Sequence, residues 1–177
     1  PGGGGRIGPR ARRGFARGGA GLGCRRTDQT GKAVRRSQFG GETVAVTVVY
    51  ARLPVAAACP MTMMKFAKLN AALTAKKFGR LLAVTVDPEN DTTAVLKDFA
   101  SKIGADPARW KFLTGDPKDV AHVAEIFGVL YYPANGQIVH SQAVAVVASA
   151  RKRAQTDYGY QWEPKAIVTD LANATTG

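Results

Sequence analysis

The 177-residue chain is poor in the residues that usually declare a chemistry. It has only two cysteines, Cys24 and Cys59, and only two histidines. Two thiols cannot build a disulfide framework, and the absence of a C-x-x-C pair argues against a two-cysteine oxidoreductase. No apolar run approaches the roughly 18 residues of a membrane helix, so the sequence contains no integral span. Acidic residues are missing from positions 1–26, which hold ten Gly and seven Arg. That stretch has no helical or strand period, and no apolar run follows its arginines, which excludes a visible signal peptide. What is present elsewhere, ample Val, Ile, Leu and Phe, excludes a wholly disordered chain.

The net charge of +12 suggests a nucleic-acid partner until it is located along the chain. Residues 1–36 carry ten Lys or Arg against one Asp, whereas residues 37–177 carry fifteen against twelve acids. The basic character therefore belongs to one end. Residues 1–26 are expected to form a flexible Gly/Arg-rich arm able to contact anionic surfaces, and residues 27–177 a single domain without a nucleic-acid interface. Arg13-Gly14-Phe15 and Arg17-Gly18-Gly19 resemble Arg–Gly tracts of RNA-binding arms, but two triplets favour a passive tail. A start at Pro1 rather than Met suggests a fragment or a processed product. The cysteine count leaves the redox compartment open.

From Thr27 the pattern becomes regular. Thr27–Lys32 and Ser37–Gly41 have turn composition. Val44, Val46, Val48, Val49 and Tyr50 form a run too continuous for a one-sided strand, which predicts a buried central strand over 42–51. Cys59-Pro60 predicts a helix with Cys59 at the N-cap, Met63, Phe66, Leu69 or Asn70, and Leu73 on its apolar face, and Gly79 as its stop. Leu81–Val86 is the next strand, and Asp91 or Thr92 caps a helix with Leu96, Phe99 and Ile103 inward. Lys111–Thr114 is a short strand, Asp116-Pro117 opens a helix ending at Gly128, and Gln137–Val147 is one β-rich stretch with a partner strand after it. Glu163-Pro164 starts the last helix, with Ile167 and Leu171 on one face. Alternating strands and helices with a closing hairpin predict an α/β fold of thioredoxin-like pattern, a central mixed sheet flanked by helices.

Three features carry possible chemistry. Cys59 lies between a strand and a helix, where ligand sites of α/β sheets gather and where a helix N-terminus favours thiolate. His140 lies on a late strand, and Asp87 to Asp91 form an acidic loop after the second long strand. The bland readings are a buried structural cysteine, an ordinary histidine and two acids that end a strand and begin a helix.

Val86-Asp87-Pro88-Glu89-Asn90-Asp91-Thr92 resembles the V-D-P-x-x-D-T loop of the SCO/SenC copper chaperone family. So do Gly104-Ala105-Asp106-Pro107-Ala108-Arg109-Trp110 and the following Phe112-Leu113-Thr114-Gly115, while Cys59-Pro60-Met61-Thr62 is similar to the end of that family's metal motif. Val139-His140-Ser141 resembles its histidine site, and Thr27-Asp28-Gln29-Thr30-Gly31 its opening. The resemblance implies a thioredoxin-like metallochaperone, not an enzyme, that binds a copper ion, Cu(I) or Cu(II), through two cysteines and a histidine. Its partners would be cytochrome c oxidase subunit II, whose copper-A site it helps assemble, and other copper chaperones. Its location would be the periplasmic side of the bacterial inner membrane, by an anchor not in this chain, or the mitochondrial inner membrane.

Carried over by position, Cys59 and His140 are ligands, and Leu53 occupies the place of the first motif cysteine. A lost thiolate weakens affinity for a soft ion; the thioether of Met61 is a candidate auxiliary donor, against the favoured reading that the methionines after Cys59 fill core gaps. The alternatives are a metal-free thioredoxin-like scaffold and a single-cysteine thiol redox protein. A peroxidase is disfavoured, because the positions where such a motif carries Pro and Thr before its cysteine are Arg52 and Ala56.

Overall fold

The computed structural model describes residues 26–39, 41–52, 59–148 and 154–175. The expected arm with Cys24, the position of Leu53 and residues 149–153 lie outside the described residues. Strands β1 (Arg26–Asp28) and β2 (Ala33–Val34) come first, then a short 3-10 turn at Arg36–Phe39 and β3 (Val44–Val49). There follow α1 (Cys59–Lys76), β4 (Arg80–Thr85), α2 (Thr93–Lys102), β5 (Trp110–Gly115) and α3 (Pro117–Ile126). The chain continues through β6 (Tyr131–Ala134), β7 (Gln137–His140), β8 (Ala143–Val147), β9 (Ala154–Tyr158) and α4 (Pro164–Thr175).

Seven strands form one mixed sheet in the order β2-β1-β5-β4-β3-β8-β9, and β6 and β7 pair separately. β3, β4 and β5 are parallel, while β8 runs antiparallel to β3 and β9 to β8. All six residues of β3 are buried, because helices cover both faces of the sheet. Ala45 and Val49 face one core with Phe66, Leu69 and Leu73 of α1, Leu96 of α2 and Ile167 and Leu171 of α4. Val44, Val46 and Val48 face a second core with Val123 and Ala124 of α3 and with Phe127. The continuous apolar run of β3 is thus the signature of a strand with no wet side.

The helix ends follow local chemistry. The Thr92 hydroxyl accepts from Val95 N–H at the start of α2, and the Asp116 carboxylate accepts from Lys118 N–H at the start of α3, with Pro117 in its first turn. Gly128 stops α3 at a φ of 64°, and a β-carbon there would lie 2.7 Å from the Tyr158 hydroxyl. Only glycine satisfies both constraints.

Three expectations change. The turn composition at Thr27–Lys32 hides a β-hairpin, and Arg26, grouped with the arm by composition, is the first residue of β1, paired with Gly115 and Val34. Its near-complete burial ties it to the sheet rather than to the arm. The stretch Gln137–Val147 is two strands, not one, broken at Ser141-Gln142. The break arises because β7 pairs with β6, Tyr131 opposite His140, whereas β8 pairs with β3. Finally, α1 includes Cys59 as its first residue rather than placing it one position before the helix.

Phe66 is the hub of the larger core, fully buried with ring centroids 5.7 Å from both Trp110 and Trp162. Phe66→Ala is expected to cost about 3–5 kcal/mol, seen as a lower urea midpoint with an unchanged slope.

Candidate metal centre

The carboxyl end of a central parallel strand is where an α/β sheet opens to ligands, and here β3 leaves the sheet through Tyr50, Ala51 and Arg52 toward the helix that Cys59 opens. Cys59 therefore enters at the N-terminal end of α1, where aligned peptide dipoles favour an anion. Along the same helix, Met63 is buried in the core and Met61 is 53% exposed, so of these two thioethers only Met61 faces solvent at the rim.

The acidic loop is built inward. Asp91 is fully buried; its Oδ2 accepts from the Thr85 hydroxyl at 2.5 Å and from the Ala51 backbone N–H at 3.0 Å. Asp87 accepts from the Asn90 side-chain amide at 2.8 Å, and its other oxygen lies 3.3 Å from the Arg52 Nε. Both carboxylates thus grip the first residues of the segment that runs from β3 to Cys59, and they act on the site as anchors. Burial is the main cause holding the Asp91 carboxyl above the usual carboxylate range; the bonds from Thr85 and Ala51 oppose it, and the neighbouring Asp87 charge adds to it.

His140 ends β7 and is half-buried beside Tyr131 across the hairpin. Its Nδ1 lies 3.2 Å from the Ser141 carbonyl and 3.5 Å from the side-chain nitrogen of Gln142. Gln142 in turn accepts from the Thr62 hydroxyl at 3.3 Å, and both of these side chains are buried. Thr62 sits three positions after Cys59 on α1. The imidazole and the opening of the Cys59 helix are therefore joined by a three-residue chain of contacts. Burial pulls the His140 imidazole below its ordinary value of 6.5, against an opposing pull from the Ser141 carbonyl, and so keeps the neutral ring with a lone pair.

Sequence reasoning singled out Cys59, His140, Met61, Asp87, Asp91 and Leu53 but missed Thr62, Gln142 and Thr85. A signal for Gln142 existed: in an extended segment, residues two apart share a face, so Gln142 lies on the side of His140. Among the described residues, no three His, Cys, Asp or Glu side chains converge as a cluster able to hold a metal. A thiol, an imidazole and a thioether are the donor types that suit a soft ion such as Cu(I).

The family model described as SCO1/SenC matches residues 25–176. The chain belongs to the SCO1/SenC family. BsSco, a member of the Sco family of cytochrome c oxidase assembly proteins in which a disulfide switch was identified, is 26% identical and has a TM-score of 0.75. That match covers 86% of this chain and 91% of BsSco. A SCO1/SenC family lipoprotein from Bacillus anthracis is 23% identical, with a TM-score of 0.76 over 85% of this chain and 92% of its own. Copper-bound ScoI from Bradyrhizobium japonicum is also 23% identical, with a TM-score of 0.69 over 85% and 96%. These matches establish the thioredoxin-like fold of this SCO1/SenC domain. No curated protein sequence matches it.

Asp91→Ala is expected to destabilise the domain by about 1–3 kcal/mol, because the Ala51 N–H and the Thr85 hydroxyl lose a buried acceptor. The sign of its pH dependence follows from the raised carboxyl: the native state holds the proton more tightly than the unfolded chain, so the stability Asp91 contributes is lost as pH rises through the window above 3.8. Urea titrations of both proteins should show the gap widening as pH falls from neutrality toward that value. A pH-independent gap would mean that Asp91 titrates as it does in the unfolded chain.

Proposed function

We propose that this domain carries copper as cargo, with Cys59 and His140 as its ligands, and that it serves assembly of the copper-A site of cytochrome c oxidase. The observation that carries the reading is the link Thr62–Gln142–His140, which holds the imidazole at the end of the helix that Cys59 opens. Family membership supports it, as do the copper-bound ScoI and the assembly role stated for BsSco. The partners we assign are cytochrome c oxidase subunit II and other copper chaperones. The site of action is the periplasmic side of the bacterial inner membrane, or the mitochondrial inner membrane in a eukaryote; the Bacillus anthracis relative is a lipoprotein. No helix among the described residues is long and apolar enough to cross a membrane.

Leu53 stands in this reading where a second thiolate belongs. One thiolate and one imidazole hold Cu(I) more weakly than two thiolates and an imidazole, and the exposed thioether of Met61 is the candidate to supplement them. Binding displaces protons, so affinity falls with pH as the Cys59 thiol retains its proton, whereas the depressed imidazole competes only below its ordinary range. A competition titration against a chromophoric Cu(I) chelator tests the assignment. Cys59→Ala should abolish retention, and Leu53→Cys should tighten it at least about tenfold and permit a disulfide with Cys59 if the two α-carbons come within about 7 Å. Full retention by Cys59→Ala would refute the ligand assignment and leave the metal-free scaffold, the reading that Leu53 itself favours. Equal affinity with and without the Leu53 change would show that Leu53 is not the vacant position and move attention to Met61.

A further inference from the structure

Gln142 is a buried carboxamide with one end on a hydroxyl and the other on an imidazole. Its Oε1 lies 3.3 Å from the Thr62 hydroxyl and its Nε2 3.5 Å from His140 Nδ1, and the residue is 5% exposed. The main chain fixes it further, since its carbonyl accepts from Gly159 N–H at 2.9 Å. A carboxamide offers an acceptor on one side and a donor on the other, while a threonine hydroxyl both donates and accepts. Thr62 can therefore satisfy either end of the amide, and the imidazole meets the end that remains.

The two orientations have different consequences for the ring. The Ser141 carbonyl, 3.2 Å from Nδ1, can only accept. With the amide oxygen toward the ring, two acceptors face Nδ1, the ring proton resides there, and the Nε2 lone pair is free. With the amide N–H toward the ring, the amide donates to the Nδ1 lone pair and the proton resides on Nε2. One proton leaves the ring and one arrives through solvent, so the ring stays neutral. We infer that Gln142, pivoting on the Thr62 hydroxyl, is a positioning residue that sets the tautomer of His140 and so decides whether its Nε2 lone pair is free to bind metal. The inference rests on the proposed copper reading for its purpose, but the tautomer is measurable without metal.

The test uses long-range nitrogen–proton correlation spectra of the full, metal-free chain at a pH where imidazole is neutral. His122, on α3, is the only other histidine and serves as the internal reference. Gln142→Glu offers only acceptors and should move His140 at least twofold toward the form with its proton on Nδ1. Gln142→Leu should leave the ratio to Ser141 alone, Thr62→Val should change it, and Thr62→Ser should restore it. An unchanged His122 resonance certifies the fold of each variant. The same His140 ratio in wild type, Gln142→Glu and Gln142→Leu overturns the inference. In chelator competition Gln142→Leu should weaken Cu(I) retention by about tenfold, the scale on which partners of a ligand imidazole act. A shifted tautomer with unaltered retention overturns the positioning role. A responsive tautomer in a wild-type protein that takes up no Cu(I) overturns the copper reading and leaves the tautomer control standing.

Discussion

The structure depends on a strand with no wet side. Every residue of β3 is buried, with alternate side chains sent into two separate cores. Because its register is locked against β4 on one edge and β8 on the other, its carboxyl end emerges at one fixed place. Everything at the rim is measured from that point. The Asp91 carboxylate catches the chain as it leaves, at Ala51, and Asp87 meets Arg52 one residue later. A burial-driven element thus sets the position, and a few buried polar contacts set the direction.

Much of this was legible because it follows from period and punctuation. The β3 run, the Met63–Phe66–Leu69–Leu73 face, the Asp116-Pro117 start and the Gly128 stop are local signals, and the structure uses each of them as local chemistry dictates. Partner choice was not legible. Nothing local says that Gln137–His140 pairs with Tyr131–Ala134 while Ala143–Val147 pairs with β3, since both stretches have strand composition. The β1–β2 hairpin was masked for a related reason: its strands are three and two residues long, too short to show alternation, and its turn residues dominate the pattern.

The site divides along the same line. Cys59 and His140 stand out by residue type, and the acidic loop by its motif, but the acids' role as anchors required knowing that Ala51 and Arg52 pass beside them. Thr62 and Gln142 are common residues with no motif to mark them. Their importance arises from a contact across 80 positions of sequence, which no window of composition can reveal.

The separate pairing of β6 and β7 has a mechanical consequence. The hairpin shares no ladder with the main sheet, and Tyr132 and Val139, a facing pair, are both turned to solvent. Tyr131 and Ile138 pack only partly against the second core. The imidazole is therefore mounted on a small unit whose opening breaks no ladder of β3, β4 or β5, so the end of β7 can shift without loosening the frame.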